Sequence, residues 1–167
     1  MKALISLALT ALATGSLAAC GDGDDGNDDE RAQSYALAVE RISNDAYDAA
    51  QDGLVTLNKL SDGSVGAHAA IAALDSSSKE VTADRERLSD LAPPDGGRET
   101  AHDLGFELDS LALSLGEAAA TTSAVTKGGG NLRDTGRSFA RVVLAYQSGS
   151  AALSRALRSI VVVAAGD

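Results

Sequence analysis

Between residues 31 and 164 the apolar positions recur at steps of three and four. In 31–60 the stripe runs Tyr35, Val39, Ile42, Ala46, Ala49, Gly53, Leu57 and Leu60. In 66–91 it is Ala67, Ile71, Leu74, Ser78, Val81, Arg85 and Leu88, and in 98–125 it is Ala101, Leu104, Leu108, Leu111, Leu115, Ala118, Thr122 and Val125. In 132–164 it is Leu132, Phe139, Val142, Tyr146, Ser150, Leu153, Leu157 and Ile160. This is the period of amphipathic helices, close to the heptad that packs them at shallow angles, and no segment alternates as a strand does. The punctuation fits four helices. Asp62-Gly63 offers a stop, and Ser64 an N-cap for the second helix. Ala92-Pro93-Pro94-Asp95-Gly96-Gly97 ends that helix, because proline lacks the N–H and clashes with the preceding turn. Gly128-Gly129-Gly130 ends the third, and Asn131 is placed to cap the fourth. Short links between long helices make neighbours antiparallel, so the expected fold is all-α, an up-down-up-down four-helix bundle over residues 31–167.

The stripes are rich in Ala, Gly and Ser. Small residues let helix axes come close but bury little area each, which predicts a tight bundle of modest stability. Glycines at 53, 105, 116, 136 and 149 fall inside helices, each costing about 1 kcal/mol against alanine. Residues 31–167 hold 34 large apolar side chains (Val, Ile, Leu, Phe, Tyr), enough for one slim core. The chain has no Trp and only five Phe and Tyr together, which argues against an aromatic-lined ligand pocket. Arg85 is out of place on an apolar stripe; a snorkelling side chain is the expectation there, ahead of a buried ion pair.

Ahead of the bundle the pattern changes twice. Lys2 precedes an apolar run, Ala3 to Ala13, that is shorter than the roughly 20 residues a membrane span needs. Then comes Leu17-Ala18-Ala19-Cys20-Gly21, with the only cysteine of the chain. A positive start, an apolar stretch and small residues before a cut are the marks of a cleaved signal peptide. With cysteine at the cut, the segment resembles the lipobox of bacterial lipoproteins. That resemblance implies removal of residues 1–19 and attachment of diacylglycerol to the Cys20 thiol, with an N-acyl chain on the new amine. It implies an extracytoplasmic protein held to a membrane by lipid, since a second acyl chain makes such anchoring stable. The membrane would be the outer leaflet of a single membrane or, in a two-membrane cell, the periplasmic face of the outer membrane, because Gly21 replaces the family's aspartate retention signal. Residues 21–30, Gly-Asp-Gly-Asp-Asp-Gly-Asn-Asp-Asp-Glu, have nothing apolar to bury and repel one another, so residues 20–30 read as an extended acidic tether. Asp22, Asp24 and Gly26 echo the start of a calcium loop, but its closing glutamate is missing, since position 33 is Gln.

Charge narrows the partners. Losing residues 1–19 removes only Lys2, leaving 13 basic against 24 acidic residues, near −11. This argues against nucleic acid as a partner. The last helix is the exception, with Arg133, Arg137, Arg141, Arg155 and Arg158 against Asp134 alone. Charge complementarity within the bundle is the simplest use of that face. A contact strip formed by Arg133, Arg137 and Arg141, at i, i+4 and i+8, is the functional alternative.

Little chemistry is on offer. Glu99-Thr100-Ala101-His102 has the Glu-x-x-His spacing of di-iron bundles, which need that motif twice. The other histidine, His68, has Val65 three residues before it. Glu99 and His102 therefore remain weak metal candidates, and His68 and His102 should lie at opposite ends of the bundle. No Cys-x-x-Cys-His, Gly-x-Ser-x-Gly elbow or phosphate loop occurs. Leu91-Ala92-Pro93-Pro94 followed by His102 and leucines at helical spacing is similar to a pattern in uncharacterised helical lipoproteins of the bacterial envelope, and implies no reaction. The expectation is a non-enzymatic envelope lipoprotein without cofactor beyond its lipid, its bundle binding another envelope protein or serving as an accessory subunit. A metal- or small-ligand-binding lipoprotein is the alternative.

Overall fold

A computed structural model describes residues 25–94 and 97–164. It contains four helices in chain order: α1 (Asp25–Ser61), α2 (Ala67–Ser89), α3 (Arg98–Thr126) and α4 (Leu132–Ala164). Each helix packs on the next and α1 closes on α4, while α1 and α3 barely meet across the diagonal and α2 and α4 do not touch. This is the up-down-up-down four-helix bundle that the spacing predicts. The start of α1, the α2–α3 connection and the end of α4 share one end, here the near end. The α1–α2 and α3–α4 connections form the far end. At 1.5 Å per residue the 37 residues of α1 span about 55 Å.

The start of α1 corrects one expectation. Residues 25–30 are helical, not extended. The acidic composition that denies this segment a core is also what the positive end of a helix favours, so it can prolong a helix nucleated by the packed residues beyond. Cys20 and the rest of the tether lie outside the described residues.

The turns use backbone geometry more than side chains. Gly63, with φ 78°, takes the left-handed conformation that ends α1. Gly66 is the N-cap of α2, not Ser64. The Ser64 N–H instead donates to Asp62 Oδ1 at 2.9 Å, folding the link into an Asx turn that ends too early to cap the helix. At the other far-end link the expectation holds. Gly128 has φ 77°, and the N–H groups of Gly128 and Gly129 donate to Val125 O and Ala124 O, a Schellman closure. Asn131 then caps α4, its side-chain oxygen accepting from Arg133 N–H at 2.8 Å.

The core is a column of side chains from all four helices, with Leu74, Leu104, Leu108, Leu111 and Leu115 among its fully buried members. On α1 and α3 the buried face is the predicted stripe, apart from the half-buried Leu60, Ala101 and Val125 near the helix ends. On α2 it is turned by one position: Ala70, Ser77 and Asp84 are buried where Ile71, Ser78 and Arg85 were expected. On α4, Gly149 is buried and Ser150 exposed. Except at Ala70 and Ile71, the shifts occur where two adjacent residues are both small or both polar. Hydrophobic period cannot choose between such neighbours; contacts across the helix pair do. Ser77 sits under Gly53, where a β-carbon would also come within 2.6 Å of Leu115 Cδ2, so α1 lies close over α2 and α3 there. Ser78, at the edge, donates to Ala112 O of α3 at 2.8 Å.

Candidate functional sites

Three places bring functional side chains together. The first is at the near end, where α2 turns into α3. A cleft of about 280 Å³ is lined by Arg85, Leu91, Pro93, His102, Phe106 and Asp109. Pro93 stops α2 and Gly97 starts α3, its N–H donating to Pro94 O at 2.9 Å, so the connection folds against the first turns of α3. Arg85 spans the two helices through Nε to Asp109 Oδ2 at 3.0 Å. Its side chain is 37 % exposed, so it is neither in the core nor a buried ion pair. His102 projects into solvent, its nearest carboxylate being Asp103 at 3.8 Å. Glu99 is exposed one turn earlier. Among the described residues no three His, Cys, Asp or Glu side chains converge as metal ligands do. His68, at the start of α2, lies at the opposite end of the bundle, as the topology requires. Phe106 is 68 % exposed at the mouth of the cleft, a large apolar group left in water.

The second place is the outer face of α4. Arg141 reaches Glu117 Oε2 of α3 at 2.7 Å, and Arg137 reaches Asp134 Oδ1 at 3.2 Å. Two of the three arginines in the predicted strip are thus engaged inside the bundle, the complementarity that the opposite charge of α4 suggests. Arg133 is exposed and makes no ion pair among the described residues. Between the two arginine groups Leu144 is 64 % exposed.

The third place went unseen in the sequence. Asp84 is buried on α2, and its Oδ1 accepts from Arg87 at 2.6 Å; the same guanidinium nitrogen reaches Asp45 Oδ2 of α1 at 3.3 Å. Loss of hydration pushes the Asp84 carboxyl above its ordinary value, and the hydrogen bond from Arg87 offsets this only in part. The i,i+3 spacing of Asp84 and Arg87 was available as a signal; Asp45 enters only through packing. Nearby on α1 the hydroxyls of Tyr35, Ser43 and Tyr47 are buried without a hydrogen-bond partner among the described residues. Tyr47 meets Tyr146 edge to face, with ring centroids 5.7 Å apart, and its phenol is held well above its ordinary range by burial, then by the charge of Glu107.

No family model, curated protein or solved structure matches the chain. The described residues contain no helix long and apolar enough to cross a membrane. Of the predicted site residues, Glu99 and His102 stand near each other on the outside of one helix and the arginines line one face of another. Cys20 lies outside the described residues.

Proposed function

We propose that this chain is a lipid-anchored extracytoplasmic protein, not an enzyme, whose bundle serves as a protein-contact or accessory module. The observation that carries the reading is Leu17-Ala18-Ala19-Cys20, with the chain's only thiol where lipid would be attached. The topology is compatible with it. A tether entering at the start of α1 would set the near end, with the cleft at His102 and Phe106, toward the membrane, and hold the far end away from it. The outer face of α4 suits a protein contact best: Leu144 supplies exposed apolar surface, with Arg141 and Arg137 about one and two turns before it. An exposed aliphatic group near arginines is a composition that protein interfaces favour.

Two experiments test this. Intact mass of the membrane-extracted wild type should exceed that of residues 20–167 by a diacylglycerol and an acyl chain, and Cys20→Ser should abolish the increment, since serine cannot form the thioether. A wild-type mass without acyl chains sinks the anchor. A photo-crosslinking residue at position 144 should then give a discrete adduct in cells, lost when Arg137 and Arg141 are both changed to Glu. An adduct pattern indifferent to that change removes α4 as the contact face.

A further inference from the structure

At the far end the bundle holds a hollow that is open to solvent on one side. The last turns of α1, the first residue of α2, the last turns of α3 and the first turns of α4 surround a space of about 450 Å³. This is within the range of small-molecule sites, roughly 300–1,000 Å³. We infer that this hollow is a binding site for one uncharged hydrocarbon chain, such as that of a neutral single-chain lipid.

The walls select that chemistry. None of the eleven lining residues is ionisable, in a chain where 23 % are charged. Leu57, Leu60, Val125 and Phe139 supply apolar surface. Two of the three threonines that look polar in sequence are spent elsewhere. Thr122 Oγ1 donates to Ala118 O at 2.7 Å, and Thr126 Oγ1 to Thr122 O at 2.8 Å. The Thr135 hydroxyl is buried without a hydrogen-bond partner among the described residues, and Asn58 and Ser61 are polar and exposed. Thr122 and Thr126 leave a ligand their methyl groups, and Thr135 leaves one hydroxyl for a neutral polar head. No described lining side chain carries a charge, so a carboxylate or ammonium would give up hydration on entry without gaining an ion pair.

Two small residues keep the space open. Gly136, in the first turns of α4, has nothing within 4 Å of where a β-carbon would stand. No turn or close approach calls for glycine at that position, and glycine is a poorer helix former than alanine. Ala67 opens α2 on another wall. The chain's own anchor point lies far from the site. Leu57 lies about 48 Å along α1 from Asp25, whereas Cys20 is five residues before Asp25 and can reach at most about 18 Å. The inference holds whether or not Cys20 is acylated.

The test uses the full chain and the uncharged apolar fluorophore N-phenyl-1-naphthylamine. Saturable one-to-one fluorescence enhancement is expected, reversed by 1-decanol and at least roughly tenfold less well by decanoate, the minimum for 1.4 kcal/mol of charge penalty. Gly136→Phe and Ala67→Phe fill the space from two sides, and each should weaken binding at least about tenfold with circular dichroism unchanged. Binding that does not saturate, that prefers decanoate, or that persists in both folded variants overturns the inference. Should the variants unfold, a photoreactive decanol analogue decides on the wild type. Labelling within 57–61 or 135–139 supports the site, and labelling confined to residues 1–19 or to the near-end cleft removes it.

Discussion

The α2–α3 seam and the α1–α4 seam of the same bundle are built by different means. Between α2 and α3, Leu74, Val81 and Leu88 face a ladder of four leucines, Leu104, Leu108, Leu111 and Leu115. The edge is tied by Ser78 to Ala112 O and by Arg85 to Asp109. Between α1 and α4 the contact is aromatic: Tyr47 packs on Tyr146 and fits only because Gly149 lacks a side chain, a β-carbon there falling 2.6 Å from the Tyr47 oxygen. That seam also carries a buried phenol with no partner among the described residues and opens at its far end into the hollow. Leucines of one size interdigitate and close the middle of a seam, leaving a cleft only at its near end. Two tyrosines need a matched glycine and leave polar atoms and space behind. The first seam carries the leucine ladder; the second opens into the larger of the two spaces described.

The comparison can be broken at its strongest point first. Leu108→Ala, at a position with no solvent exposure, should cost about 2–5 kcal/mol in chemical denaturation, and Leu108→Asp should abolish the helical signal altogether. A loss below 1 kcal/mol for the alanine variant would mean that the leucine ladder does not carry the stability.

Gly149→Ala tests the aromatic seam. Elsewhere such a change gains helix propensity, so Gly105→Ala, with nothing near its β-carbon, should gain up to about 1 kcal/mol. At Gly149 the methyl meets a buried ring, and the net loss should be about 1–3 kcal/mol. If both substitutions stabilise, the tyrosine packing is loose. Tyr47→Phe sharpens the same point: removing a buried hydroxyl without a protein partner should leave stability unchanged or raise it by up to about 1 kcal/mol.

The smallest effects belong to the charged edges. Asp109→Asn breaks a half-exposed ion pair and should cost under about 1 kcal/mol. Asp84 gives a pH signature. Its folded pKa is raised, so the protonated form favours folding and stability is lost as pH rises from the ordinary aspartate value through the raised one. In thermal melts, Asp84→Asn should therefore gain on the wild type across that interval and not below it. A difference that is constant with pH, or that grows on acidification, contradicts the burial assigned to Asp84.

Much of this architecture is legible in the chain itself. Four helices, their antiparallel order and the buried faces of α1 and α3 follow from apolar period and from Pro93-Pro94, Gly128 and Asn131, because those signals act within one helix or one turn. The lipobox resemblance is likewise read within a single segment. What tertiary structure alone decided is how the stripes face each other. It chose Ser77 over Ser78 and Asp84 over Arg85 on α2, and Gly149 over Ser150 on α4, choices made by the neighbouring helix and invisible to a period of 3.6. It brought Asp45 to Arg87, engaged Arg137 and Arg141 inside the bundle, and turned the hydroxyls of Thr122 and Thr126 back onto their own helix. A cavity is the extreme case, since it is defined by where four helix ends fail to touch, and no one segment of sequence carries that information.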